Sequence, residues 1–195
     1  IYAYTKAFCD ATNLGVILFP VPLWGFERIH PSAGFSPQLI ERLLDSCPNI
    51  VAIKAEGGMP TIGGFVDVYN RFKDRVLVIE PIEGNGLPMA TLLDMPFMGT
   101  SNYEYYGPAI PRIFKMIRDG RHNEGMDEYW KLYPARQATT AAMAVLQGSN
   151  FLHRMLWKYQ GWLQGFNGGP LRAPTMRLVD RQMKPLRQGL LAAGF

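Results

Sequence analysis

The sequence predicts an α/β chain whose parallel sheet is covered by helices, and three observations carry that reading. Uninterrupted apolar runs of strand length recur at Gly15-Val-Ile-Leu-Phe19, Ile50-Val-Ala-Ile53 and Val76-Leu-Val-Ile79, apolar on both faces as in strands buried between two layers. Segments with apolar residues at helical spacing alternate with them. Proline, glycine or a charged residue closes each run and marks a strand end.

Taken in order, residues 2–12 place Tyr4, Ala7, Phe8 and Ala11 at helical spacing and stop at Asn13. The first strand ends in Phe19-Pro20-Val21-Pro22. Ser36-Pro37 then supplies an N-cap hydroxyl and a proline at the first helical position, with Leu39, Ile40, Leu43 and Leu44 on the face that follows. Cys47-Pro48-Asn49 stops that helix before the second strand, which runs into Lys54 and the pair Gly57-Gly58. A helix over 64–72 precedes the third strand, closed by Glu80-Pro81. A helix over 87–93 precedes a fourth expected strand, Pro96-Phe-Met98, closed by Gly99. From Pro108 the strands cease, and helices are expected over 112–118, 123–146, 151–163 and 180–193, with Gly168-Gly-Pro-Leu-Arg-Ala-Pro174 as a loop.

Composition narrows the function classes. The chain has 195 residues, 48% apolar and 18% charged, which excludes a disordered chain and fits a large core. Its 20 basic residues against 16 acidic ones are dispersed, a net charge of +4, so no basic stripe argues for nucleic acid. No apolar run reaches the roughly 18 residues of a membrane span. Cys9 and Cys47 read as reduced core residues of a cytoplasmic protein. His30, His122 and His153 are far apart, with no ligand spacing for a metal. Gly84-Asn85-Gly86 and Gly57-Gly58 read as turn glycines without phosphate-loop spacing, and Ser101 and Ser149 lack a nucleophile-elbow context.

In parallel α/β folds the pocket forms at the carboxyl ends of the strands, here Phe19, Lys54, Glu80 and Gly99. Lys54 is the informative one. The other six lysines fall in or near helices, where an ammonium reaches water, whereas Lys54 continues a buried strand. A dry environment disfavours an ammonium and makes free amine available as a nucleophile toward a carbonyl. Spacing fits equally a lysine that snorkels to solvent or pairs with Glu56.

The segment from Ile1 to Pro22 resembles the helix and fifth strand of the dihydrodipicolinate synthase and N-acetylneuraminate lyase family, whose strand ends in a Tyr-Asn-Val-Pro-like motif. Ser36-Pro37-Gln38-Leu39, then Pro48-Asn49-Ile50-Val51-Ala52-Ile53-Lys54 and Gly57, is similar to the segment bearing that family's Schiff-base lysine on the sixth strand. Gly168 to Pro174 resembles its C-terminal turn. The resemblance implies a TIM (β/α)8 barrel, here strands 5–8 plus a helical C-terminal extension. Residues 1–107 would be the C-terminal half of the barrel, and 108–195 its last helix and the extension. It also implies a lyase (aldolase, synthase or dehydratase) acting on a pyruvate-like 2-oxo acid. No cofactor or metal would be needed beyond the covalent imine on Lys54, and the assembly would be a homodimer or homotetramer. Met98 and Gly99 would line the pocket.

Two positions depart from the family. Phe19 stands where the family has a catalytic tyrosine, and a phenyl ring exchanges no proton; Tyr103, Tyr105, Tyr106, Glu56 and Glu80 are the candidates to replace it, against packing roles for the tyrosines and helix capping for the glutamates. Trp24 stands where lysine-pathway synthases carry a carboxylate-binding arginine, which argues for an apolar second-substrate pocket near Phe19 and Trp24 or for an interface role. Pro81 removes a backbone donor near the site. The competing function is a family member without turnover that serves as a ligand-binding or assembly module. Since a (β/α)8 barrel takes about 250 residues, the chain is expected to be the C-terminal two-thirds of a longer enzyme, the N-terminal half of the barrel lying outside it.

Overall fold

The computed structural model describes residues 1–20, 28–55, 61–99, 104–148 and 154–195. Three short strands, β1 (Val16–Leu18), β2 (Ile50–Lys54) and β3 (Leu77–Ile79), form a sheet of order β1-β2-β3, and both pairings are parallel. Parallel neighbours need a crossover, supplied by α2 (Pro37–Ser46) between the first pair and α3 (Thr61–Phe72) between the second; α1 (Tyr2–Asp10) precedes the sheet and α4 (Glu83–Met89) follows it.

Register decides which residues are dry. Leu18, Ile53 and Val78 share a row across the strands, and all three are buried beneath Ile40 and Leu43 of α2 and Phe65, Val68 and Phe72 of α3. The neighbouring row, Ile17-Ala52-Leu77, points the other way. There Ile17 is 49% and Leu77 43% exposed while Ala52 between them is buried, so within this unit one face of the sheet is covered by helices and the other is open and apolar at its two outer strands.

Local chemistry sets the joints. The amide N–H of Leu39 donates to the Ser36 hydroxyl at 3.3 Å, with Pro37 at the first helical position, as the Ser-Pro pair predicts. Ser36→Ala is expected to cost about 1 kcal/mol, a lost N-cap, read as a lower urea midpoint with an unchanged slope. Asn49 is more than a helix stop: its side-chain amide donates to the carbonyls of Cys9, Thr12 and Leu14 at 3.0, 3.2 and 3.4 Å. It thereby satisfies acceptors left over where α1 ends. Cys9 and Cys47 are buried free thiols, and burial, with the Cys47 thiol as the next cause, pushes Cys9 up to about 11.

Three expectations are corrected. Pro96-Phe97-Met98 forms no strand among the described residues; Pro96 has no N–H for a ladder. The helix expected over 87–93 is instead Glu83–Met89, so Gly84-Asn85-Gly86 is helical rather than a turn. The amides of Asn85 and Gly86 donate to the Ile82 carbonyl at 2.9 and 2.8 Å, and Glu83 sits favourably at the positive end. The single helix expected over 123–146 is two, α6 (His122–Lys131) and α7 (Tyr133–Gly148), because Pro134 offers no N–H to the carbonyl of Trp130 and its ring crowds that turn.

The chain divides into two compact units, Ile1–Thr100 and Ser101–Phe195. The second is helical: α5 (Ala109–Arg118), α6, α7, α8 (Arg154–Leu163) and α9 (Asp180–Ala192). No helix among the described residues is long and apolar enough to cross a membrane.

Candidate active site at the strand ends

Pairing of Leu18 with Ile53 sets Phe19 beside Lys54. The Lys54 Nζ lies 4.5 Å from the centroid of the Phe19 ring, over the electron-rich face that attracts a cation. With Phe19 41% exposed, such a contact is worth about 0.5–1 kcal/mol. Lys54 pairs across with Ile79, and the ladder runs one step further through Ala55 N–H to the Ile79 carbonyl at 3.0 Å. The amine is therefore carried by the central strand, paired on both sides, and is half-buried at its carboxyl end.

Beyond β3 the chain folds back on itself. Glu80 is 1% exposed, and its carboxylate accepts the Ile82 N–H at 3.0 Å, a capping arrangement at the start of α4. A Cβ on Gly86 would stand 2.7 Å from the Glu80 carbonyl oxygen and 3.2 Å from Met98 Cε. One on Gly99 would stand 2.9 Å from Ile79 Cδ1. Met98 and Gly99 thus lie against β3 and α4, and Gly99 touches the residue that pairs with Lys54. Gly86→Ala is expected to destabilise by about 1–3 kcal/mol through that backbone collision, whereas Gly84→Ala, with open space at its Cβ, is expected to stabilise by about 0.5–1 kcal/mol. Urea denaturation of the pair checks the opposite signs.

The strand ends therefore bring together Phe19, Lys54, Met98 and Gly99, with Glu80 buried where β3 passes into α4. Trp24, Glu56 and Tyr103 lie outside the described residues, as do Gly57, Ser101, Ser149 and His153. Tyr105 and Tyr106 are 2% and 1% exposed, edge to face at 4.6 Å, with Phe195 5.8 Å from Tyr106; they pack in the core of the second unit. Glu83, which no motif in the sequence singles out, is 3% exposed in the first turn of α4. Among the described residues, no group of three or more His, Cys, Asp or Glu is placed to hold a metal ion.

No protein-family model matches the chain. Over 96% of its length it is 25% identical to the probable 5-dehydro-4-deoxyglucarate dehydratase of Cereibacter sphaeroides, of which it covers 57%. Among solved structures, the 4-hydroxy-tetrahydrodipicolinate synthase of Methylacidiphilum fumariolicum SolV superposes with a TM-score of 0.77 at 15% identity, over 98% of this chain and 58% of that one. A dihydrodipicolinate synthase from Cyanidioschyzon merolae with lysine bound gives 0.73 at 22% identity, over 99% and 59%. The chain has the dihydrodipicolinate synthase family fold.

Within the dihydrodipicolinate synthase fold, the three parallel strands match part of a (β/α)8 barrel. The chain spans 57% of the length of the Cereibacter sphaeroides relative and 58% of the Methylacidiphilum fumariolicum synthase. Lys54 accordingly stands at the carboxyl end of a barrel strand, the end at which barrel enzymes of this architecture build their sites.

Proposed function

We propose that Lys54 is the imine-forming amine of a lyase acting on a 2-oxo acid, with a sugar-derived 2-oxo acid and a dehydration as the substrate class and reaction. The observation that supports it is the lysine at the end of β2, with Nζ 4.5 Å from the centroid of the Phe19 ring, in a chain similar in sequence to a probable dehydratase and in fold to a synthase. The amine adds to the keto carbon, the keto oxygen leaves as water, and the iminium draws electrons from the neighbouring carbon, easing loss of a proton there. Met98 and Gly99 form one wall of the pocket, and Phe19 bounds the amine on the other side. The open apolar face of the sheet is the barrel's interior face, covered in the complete enzyme by the strands that this chain does not contain. A soluble protein does not leave such a face bare.

The test is covalent trapping. Incubation of the full-length protein with pyruvate and borohydride is expected to add to Lys54 the mass of pyruvic acid less one oxygen, located by peptide mass spectrometry. Absence of an adduct at Lys54, under conditions that label a synthase of the same fold, refutes the proposal. A second reading is favoured by one feature, the phenyl ring in place of a hydroxylated one: a protein that binds 2-oxo acids and turns them over poorly or not at all.

A further inference from the structure

The second unit contains a cavity of about 420 Å³ between α8, the loop at Gly169–Leu171, the segment around Arg177 and Met183 of α9. That size falls in the range of small-molecule sites. Nothing in the chemistry at Lys54 uses it. One wall is aromatic: Tyr159 and Trp162, one turn apart on α8, stack with centroids 6.1 Å apart and planes at 25°. Met155, Leu171 and Leu178 line the cavity as well, and all three belong to the small apolar cluster built on Leu156 and Leu186. Methionines at Met155 and Met183 give the lining the adaptability of unbranched side chains.

The wall is also held in place. A Cβ on Gly168 would lie 2.3 Å from Trp162 Cδ1, so the loop backbone sits directly on the indole and tolerates only glycine there, while Gly169 follows with φ +88°. Trp162 is 55% exposed, an apolar ring kept at the mouth of a cavity rather than in a core. Arg177, also lining the cavity, is exposed and makes no ion pair among the described residues. Other charges near Tyr159 are Asp180 and Arg187. Burial is the main cause that raises the Tyr159 phenol above its ordinary range, with Arg187 acting against it and Asp180 with it, so the hydroxyl remains a donor at neutral pH.

We propose that this cavity binds a small planar aromatic carboxylate, its ring against the Tyr159–Trp162 wall and its carboxylate on the Arg177 guanidinium. A cavity bordered by stacked aromatic rings and apolar side chains favours a planar apolar ligand, and a guanidinium with no ion pair among the described residues favours a bidentate anion. The proposal is independent of the reading of Lys54.

Calorimetric titration of the full-length protein with 2-naphthoate, 2-naphthamide and acetate tests it. The naphthoate is expected to bind, the neutral amide about tenfold more weakly for want of the charge-assisted pair, and acetate without measurable heat. Arg177→Gln should erase the difference between naphthoate and naphthamide, and Met183→Trp should block both by filling the cavity, each with an unchanged melting curve. Equal affinity of the unsubstituted protein for naphthoate and naphthamide, or full binding by a folded Met183→Trp variant, overturns the proposal. So does binding that emerges only on dissociation of an oligomer, which would assign the cavity to a second copy of the chain.

Discussion

Replacing Lys54 with methionine is expected to abolish the borohydride-stable adduct and to lower turnover of a 2-oxo acid substrate by at least about 10⁴-fold, the scale on which loss of a covalent nucleophile acts. Methionine keeps an unbranched stem of similar reach, so the half-buried strand end remains filled and the melting temperature should move little. Lys54→Arg is the sharper control. A guanidinium retains a cation to lie over Phe19 but stays protonated and forms no imine. The arginine variant should therefore match the parent in stability and the methionine variant in inactivity. Turnover that survives in either would remove Lys54 from the chemistry, whatever the fold.

Phe19→Tyr is expected to raise turnover by about 10²- to 10⁴-fold, the usual contribution of a positioned acid–base group. The ring already stands 4.5 Å from the lysine nitrogen, and the substitution adds only a hydroxyl to a side chain that is 41% exposed, so the oxygen has room and solvent contact. Steady-state rates and single-turnover trapping should be measured together. A higher rate with unchanged adduct yield places the missing function in proton transfer. An unchanged rate with the adduct intact supports the reading in which binding persists without turnover.

Much of the architecture is legible because it is written in short-range patterns. The apolar runs ending at Phe19, Ile53 and Ile79 lie in strands or at their ends, since uninterrupted β-branched and aliphatic residues favour strands. Ser36-Pro37 starts a helix where its side-chain chemistry says it should. Lys54 stands out in the sequence because it directly extends an apolar strand, whereas the other six lysines fall in or near helices. Where two local signals conflicted, the period misled. Pro134 divides a helix that spacing alone makes continuous, and glycines that suggested a turn lie in α4 because backbone amides at Asn85 and Gly86 found the Ile82 carbonyl.

The contacts that give the candidate site its form are long-range, and only the tertiary structure decided them. The sheet register sets Phe19 beside Lys54 and Ile79 opposite it, and no pattern within either segment specifies that match. Burial of Glu80 between β3 and α4, packing of Gly99 on Ile79, and closure of Tyr105 and Tyr106 into a core with Phe195 likewise depend on segments meeting in space. The cavity on Tyr159, Trp162 and Met183 joins a helix, a loop and a second helix, each unremarkable along the chain. Alternation, caps and the identity of one misplaced lysine are properties of neighbours in sequence. Register, burial and pockets are properties of neighbours in space, fixed by how apolar faces are hidden from water.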